Sequence, residues 1–277
     1  MATGTDNSRY EQLLVLARSL SGQVQDARKV YLLEVRLKPV MDMLGVSSLE
    51  HLLREVGRQV PSNLASYFAD ALVDDETWFF RERHRLQIVA EDIARRASQS
   101  SEAAPVRVWC AGGSTGQEAY SLAILLDELI PGGRAQQRVS IVTSDIGYRA
   151  TNRARAGTFS HFEIQHGLST PRMLRHFSRT GERDWLARAA LREQVQACHH
   201  NLLDGPLGPA SFDAVICRNV LSGMEAPELG AAIGNLVASI KPGGCLSIGR
   251  EDTIESPQDV RLMADTEVGS GMYRLLS

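Results

Sequence analysis

Residues 106–120 read VRVWCAGGSTGQEAY, and this stretch decides the fold. Its alternating apolar residues predict a buried β-strand. Gly112, Gly113 and Gly116 then form a turn, and helical apolar spacing begins at Gln117. Glycines leave room for a ligand, and the unpaired N–H groups at the start of a helix point into the space above the strand. The stretch is typical of a nucleotide-like site, although a glycine-rich turn alone does not identify the ligand.

The rest of the C-terminal region alternates strand and helix patterns. Further buried strands are predicted at residues 139–145, 194–199, 212–217 and 245–248, with helices between them. Segments 261–264 and 272–276 are predicted to add an edge hairpin. This alternation predicts an α/β fold of the Rossmann-like kind, with a doubly wound, mostly parallel sheet.

We predict three parts along the chain. Residues 9–75 carry helical apolar spacing and predict a small all-helical domain. Residues 76–104 form a connecting segment with a helix, and residues 105–277 form the α/β domain. Within that domain lies a basic insert near 149–192, in which nine arginines outnumber three carboxylates. The insert indicates either a site for an acidic partner or an ordinary solvated basic face.

The composition excludes several classes of function. A net charge of −3 over 277 residues gives no general attraction to nucleic acid. No apolar run approaches the roughly 20 residues of a membrane span, and the N-terminus lacks a signal-peptide core, so we expect a cytoplasmic protein without membrane insertion. Without CxxC spacing, the cysteines indicate reduced core residues and no metal site. They are Cys110, Cys198, Cys217 and Cys245.

Polar groups follow the predicted strands, where ligands of such sheets bind. Asp145 is placed to accept both hydroxyls of a ribose, with a helix N-cap as the alternative. It stands 29 residues after Gly116, against about 20 in dinucleotide sites, which disfavours a dinucleotide. No Gly-Lys-Ser/Thr follows the turn, which excludes a P-loop. S-adenosylmethionine fits better, because Glu118 could meet its ammonium group; alternatively, Glu118 merely complements the helix dipole.

Taken together, several blocks resemble the CheR family of chemotaxis-receptor glutamate O-methyltransferases over about residues 9–275. Each block is modest, but their order and spacing are specific. They are Arg28-Lys29, Arg36-Leu37, ETWFFR at 76–81, residues 109–121, Ser144-Asp145-Ile146, ARAG at 154–157, Asn201-Leu202-Leu203, Phe212-Asp213, CRNV at 217–220 and KPGG at 241–244.

The resemblance implies a helical domain that contacts the cytoplasmic helices of a chemoreceptor, and a second domain that binds S-adenosylmethionine. Arg81 would be catalytic and lie beside the methyl group. On the helical domain, Arg28, Lys29 and Arg36 would contact the receptor, with an ordinary solvated helix flank as the alternative. By matching position, the cofactor would be bound by Asp75, Thr77, Gly112, Glu118, Asp145, Asn201, Leu202, Cys217 and Arg218.

The sequence also departs from the family pattern. The most consequential change is Gly223, because the family has a tyrosine there, near the reacting groups. The loop at 179–184 is shorter than in members that dock on a receptor's C-terminal peptide, so we expect no such tether. The other changes are Asp75 for Asn, Gln117 for Glu, Gly147 for Asp, and Arg250-Glu251-Asp252 for His-Ser-Glu.

Three hypotheses therefore stay open. The first is an active glutamate methyltransferase on chemoreceptors, which the retained Arg81, Glu118 and Asp145 favour. The second is a cofactor-binding but weakly active regulator or interaction protein, which Gly223 favours. The third is a methyltransferase that acts on another protein or on a small molecule.

Overall fold

The N-terminal region is helical, as predicted. A computed structural model of the protein describes residues 4–23, 30–56, 64–73, 76–254, 262–264 and 271–276. The first helices pack their apolar faces into a core of their own, which includes Leu16, Leu37 and Phe68. These helices are α1 (Gly4–Ser21), α2 (Val30–Leu44), α3 (Leu49–Val56) and α4 (Ala65–Leu72). The domain limits at residues 75 and 104 stay predictions.

The predicted doubly wound sheet is confirmed. The strands are β1 (Val106–Ala111), β2 (Val139–Asp145), β3 (Thr158–Ser160), β4 (Phe177–Thr180), β5 (Asp184–Ala187), β6 (Val195–His199), β7 (Phe212–Cys217), β8 (Ile240–Ile248), β9 (Leu262–Ala264) and β10 (Met272–Leu275). Seven of them form one sheet in the order β6-β2-β1-β7-β8-β10-β9. From β6 to β8 neighbouring strands pair in parallel, and β10 pairs antiparallel with both β8 and β9. The predicted edge hairpin is therefore also confirmed.

Helices cover both faces of this sheet. The helices that follow α4 are α5 (Arg83–Gln99), α6 (Gln117–Leu129), α7 (Ala135–Arg138), α8 (Tyr148–Ala156), α9 (His161–Gln165), α10 (Thr170–His176), α11 (Ala189–Gln194) and α12 (Glu228–Ser239). Of these, α9 packs on β3 and β5, and α10 packs on β4, outside this sheet. Along β1, Val108 and Cys110 belong to the core that α5 and α6 cover, whereas Trp109 and Ala111 belong to the core that α12 covers. A strand buried on both sides is typical of parallel sheets and explains why residues 108–111 are apolar without a break.

The basic insert contains structure that the sequence pattern did not predict. Strands β3, β5 and β4 form a separate antiparallel sheet in that order. Each strand has only three or four residues, too few for a period-2 pattern to stand out. Phe79 packs edge-on against Phe159 and Phe177, with ring centroids 4.9 and 5.5 Å apart, and this contact joins the insert to the segment before α5.

Within the described ranges, no helix combines the length and the apolar character that crossing a membrane requires.

Candidate active site

A cleft opens at the carboxyl ends of β6, β2, β1 and β7. Strand order reverses at β1, because the chain runs from β1 to β2 on one side and later returns to β7 on the other. Ligands of doubly wound sheets bind at such a reversal. The helical region supplies the opposite wall of the cleft through Ser21, Gln23, Asp70 and Val73.

The glycine-rich turn that follows β1 lines the cleft, and it requires its glycines. Gly112 has a φ of +68°, and a Cβ there would lie 2.6 Å from Cγ2 of Val220. At Gly113 a Cβ would lie 2.1 Å from Oγ1 of Thr143. Neither position can accept a side chain without a shift of its neighbour, which accounts for glycine at both.

Asp145 ends β2 and holds the glycine turn in place. Its Oδ2 accepts a hydrogen bond from the Ser114 N–H at 2.8 Å, and its Oδ1 accepts one from the Gly147 N–H at 2.9 Å. Each carboxylate oxygen can accept two hydrogen bonds, so this bonding is compatible with contacts to ribose hydroxyls. Asp145 lines the cleft, as predicted.

A residue of the helical region, and not Asp145, caps α8. The carboxylate of Asp70 on α4 accepts hydrogen bonds from the Arg149 N–H, at 3.0 and 2.8 Å, and from the Ala150 N–H at 3.4 Å. The N-cap alternative for Asp145 is therefore wrong. A Cβ at Gly147 would lie 2.6 Å from Oδ1 of Asp70, so the departure from the family's aspartate at this position has a steric reason.

Glu118 and Arg218 form a buried ion pair on the β1–β7 side of the cleft. Nη1 of Arg218 lies 3.0 Å from Oε2 of Glu118, and the exposed fractions of the two side chains are 1% and 15%. Nη2 of Arg218 donates to the Arg81 carbonyl and lies 3.6 Å from the Glu82 carboxylate. Burial raises the pKa of Glu118, and the Arg218 guanidinium opposes that rise. Glu118 is thus already paired, which the sequence did not predict.

These residues fit S-adenosylmethionine. Among the described residues, Nε of Arg218 is buried without a hydrogen-bond partner, and Arg218 lines the cleft. The ion pair presents one cation and one anion, which complement the carboxylate and the ammonium of an amino acid. Asp145 has the acceptors that a ribose needs. Arg218 and Glu118 would therefore hold the amino-acid end, and Asp145 the sugar.

Arg81 lies in the cleft on the segment that precedes α5. Its guanidinium stacks over the Trp78 ring at 4.4 Å from the ring centroid, and its Nη1 donates to the Glu76 carbonyl at 2.9 Å. Trp78 in turn stacks on His166, with ring centroids 5.1 Å apart. Thr77 of the same segment also lines the cleft. The aromatic stack therefore holds Arg81 in place without an acidic partner among the described residues.

The other predicted cofactor residues have three different outcomes. Asn201 and Leu202 line the cleft, and Nδ2 of Asn201 donates to the Leu20 carbonyl of α1 at 2.7 Å. Cys217 does not line it, because its side chain is buried in the core, and that burial raises the pKa of its thiol well above the ordinary value. The assignment of Cys217 to the cofactor site stays a prediction. Asp75 lies outside the described residues.

The predicted receptor contacts fall largely outside the described part of the chain. Arg28 and Lys29 both lie in the undescribed range 24–29. Arg36 is exposed on α2 and is not among the residues that line the cleft. The assignment of these three residues to receptor contact therefore stays a prediction.

Two departures from the family pattern have structural roles. Gln117 accepts from the Thr115 hydroxyl at 2.8 Å and donates to Glu163 at 3.3 Å, so it links α6 to α9 and is not among the cleft residues. Asp252 accepts from backbone N–H groups at 2.6 to 2.8 Å and holds the loop after β7 against the end of β8. The donors are Asn219, Ser222 and Gly249.

Gly223 faces a residue of the helical region. A Cβ at Gly223 would lie 3.6 Å from Cγ of Gln23, which is ordinary contact. Gln23 forms an antiparallel bridge with Met224 and donates to the Val220 carbonyl at 3.4 Å. A side chain larger than alanine at 223 would therefore share its space with Gln23.

Sequence reasoning missed several residues that line the cleft. His200 and Asn219 directly follow or precede predicted strand-end residues, so the strand-end rule could have included them. Gln23 and Asp70 come from the helical region, and no local pattern indicates that they reach the cleft.

Comparison with known proteins agrees with this geometry. Residues 75–269 match the family model described as "CheR methyltransferase, SAM binding domain". The Chemotaxis protein methyltransferase Cher2 of Pseudomonas putida is 28% identical, over 97% of this chain and 98% of its own. Chemotaxis protein methyltransferase 2 of Pseudomonas aeruginosa is 32% identical over 93% and 91%, and the chemotaxis protein methyltransferase of Escherichia coli is 29% identical over 89% and 84%. The chain therefore belongs to the CheR methyltransferase family, and its cofactor is S-adenosylmethionine.

Proposed function

We propose that this protein transfers a methyl group from S-adenosylmethionine to glutamate carboxylates of chemoreceptors, as a step of chemotaxis-type adaptation. The observation that carries the proposal is that Arg218 bonds both the Glu118 carboxylate and the Arg81 carbonyl. This contact joins the amino-acid end of the cofactor site to the segment that bears Arg81. The names of the relatives, all chemotaxis protein methyltransferases, support the same substrate class.

Methyl transfer to a glutamate carboxylate depends on how the carboxylate is oriented towards the methyl group, and it requires no proton transfer. A glutamate carboxylate, with a pKa near ~4.3, is already ionised at neutral pH, so no general base is required. When bound, S-adenosylmethionine would supply an electrophilic methyl group on sulfur; a carboxylate oxygen of the substrate would accept it, and the sulfur would keep the bonding electrons as the thioether of S-adenosylhomocysteine. Arg81 can bind that carboxylate with two N–H groups and fix its direction.

A weakly active, cofactor-binding regulator is the second candidate. Gly223 favours it, because a glycine supplies neither the ring nor the hydroxyl of the family's tyrosine. Incubation of the protein with S-adenosylmethionine labelled on the methyl group, together with membranes from its own host, separates the candidates. Base-labile label on a receptor supports the proposed function. Cofactor binding without transfer supports the regulator, and label on other molecules supports a different substrate.

We expect Arg81→Ala to abolish methyl transfer and to leave S-adenosylhomocysteine binding within about threefold, because Arg81 is assigned to the substrate carboxylate and not to the cofactor. Calorimetry and the methylation assay measure the two effects separately. Arg83→Ala is the matched control, since Arg83 is exposed at the start of α5 and does not line the cleft. Equal loss of binding and transfer in Arg81→Ala would assign Arg81 a structural role instead.

A further inference from the structure

Arg81 is held mainly by the face of its guanidinium group. The guanidinium carbon lies 4.4 Å from the centroid of the Trp78 ring, and Nη1 donates to the Glu76 carbonyl. Among the described residues, no carboxylate pairs with Arg81 and no group accepts a hydrogen bond from its Nε or Nη2. The edge that these two nitrogens form is therefore available to the carboxylate of a methyl acceptor.

The Trp78 ring suits this arrangement better than an acidic side chain would. An aromatic ring attracts a cation through its π-face and leaves the N–H groups in the guanidinium plane unused. A carboxylate would accept hydrogen bonds from those same N–H groups and neutralise the charge of Arg81. The ring thus holds the guanidinium in place without competing with the acceptor.

The Trp78 ring is itself supported by the basic insert. It stacks on His166, the residue that follows α9, with ring centroids 5.1 Å apart and an angle of 16° between the planes. The N–H of the neighbouring Phe79 donates to the His166 carbonyl at 3.2 Å. A Cβ at Gly167 would lie 1.8 Å from the Phe79 carbonyl oxygen, so the two backbones pack directly on each other. The segment that bears Arg81 therefore contacts the end of α9 through both side chain and backbone.

Helix α9 is fixed at its other end. Ser160 and Glu163 form a capping box there. The Glu163 carboxylate also lies 2.6 Å from Nη2 of Arg153 on α8, and it accepts a hydrogen bond from Nε2 of Gln117 on α6 at 3.3 Å. Because α6 and α8 both pack on the main sheet, α9 is anchored to the fold that forms the cleft.

We propose that Trp78 is a positioning residue for methyl transfer. It orients Arg81 towards the acceptor carboxylate, and α9 of the basic insert fixes Trp78 through His166. The insert then contributes to the active site, a role that its charge does not indicate. The inference rests on the proposed function for the identity of the acceptor.

Rates of methyl transfer to receptor-containing membranes of the host test the role of the ring. Trp78→Leu should lower kcat/KM for the receptor roughly tenfold, in the range of a partly buried cation–π contact, and should leave the affinity for S-adenosylhomocysteine within about threefold. Trp78→Phe keeps a ring and should recover most of the rate. His166→Ala acts through Trp78 and should lower kcat/KM by only about threefold. Phe162→Leu is the matched control and should change nothing, since Phe162 is a 78% exposed residue of α9 that does not line the cleft.

Crystal structures of Trp78→Leu and Trp78→Phe with S-adenosylhomocysteine test the position of Arg81 without a methyl acceptor. The guanidinium should leave its present position in Trp78→Leu and keep it in Trp78→Phe. The role of Trp78 would be overturned, while the methyltransferase proposal stands, by an unmoved guanidinium in Trp78→Leu, by equal losses of rate in the two variants, or by a parallel loss of cofactor binding. If the unaltered chain methylates no receptor, the proposed function falls, and the two crystal structures still decide whether Trp78 positions Arg81.

Discussion

The two walls of the cleft are built in different ways. On the sheet wall, Asp145 bonds the glycine-rich turn, and Arg218 bonds both Glu118 and the Arg81 carbonyl, through part-buried hydrogen bonds and an ion pair. The helical wall contacts the α/β domain through separate hydrogen bonds. Asp70 accepts one from the Arg149 N–H at the start of α8, and Gln23 donates one to the Val220 carbonyl. The comparison indicates that the groups assigned to the ribose and to the amino-acid end of the cofactor come from the α/β fold, whereas the shape of the opposite side of the cleft depends on how the helical region docks.

The largest expected effect is on the sheet wall. Arg218→Met leaves the buried Glu118 carboxylate without its cation, so we expect the free energy of unfolding to fall by about 3–5 kcal/mol and cofactor binding to be lost. The loss of Arg218 raises the folded-state pKa of Glu118 further. The decrease in the free energy of unfolding should therefore be greatest at neutral pH, where Glu118 is ionised. It should shrink as the pH falls through that raised pKa and Glu118 takes up a proton. Urea unfolding at several pH values measures this.

Arg175→Met is the matched control for that experiment. Arg175 pairs with Asp127 at 2.9 Å, but 64% of its side chain is exposed, so its removal should cost at most about 1 kcal/mol. If Arg218→Met is no more damaging than Arg175→Met, the ion pair does not organise the sheet wall.

An intermediate effect is expected where α4 meets α8. Asp70→Ala removes the acceptor for the first N–H groups of α8 and should cost about 1 kcal/mol, in the range of helix caps. Gly147→Ala should also destabilise, because its Cβ would lie 2.6 Å from Oδ1 of Asp70. In the double variant, the destabilisation caused by Gly147→Ala should largely vanish, because Oδ1 of Asp70, the atom that the new Cβ would meet, is no longer present. Urea unfolding of the four proteins tests this coupling, and strictly additive losses would refute it.

Sequence reasoning succeeded for the sheet wall for a physical reason. Strands buried on both faces leave continuous apolar runs, and the residues that follow such runs must meet at one edge of a parallel sheet. Glu118, Asp145, Asn201 and Arg218 could therefore be placed in one site without coordinates. Cys217 differs from these residues, because its side chain is buried in the core and does not line the cleft.

The helical wall could not be predicted in the same way. The contact between Asp70 and Arg149 spans 79 residues, and that between Gln23 and Val220 spans 197. Such contacts depend on the docking of preformed units, for which a single sequence carries no periodic signal. His200 was missed for another reason: only its neighbour Asn201 was selected at the end of that strand, although the same rule covers both residues.

The smallest effect is expected at the contact between the two walls near Gly223. Restoring the family's tyrosine by Gly223→Tyr should raise the methylation rate only slightly, because Gln23 lies 3.6 Å from the new Cβ and shares the space that the ring needs. Gln23→Ala combined with Gly223→Tyr should gain roughly twofold to fivefold more than the single changes predict, equivalent to a coupling of about 0.5–1 kcal/mol. The affinity for S-adenosylhomocysteine should not change, since neither residue is assigned to cofactor binding. Equal rates for the single tyrosine variant and the double variant would show that docking of the helical region does not restrict this position.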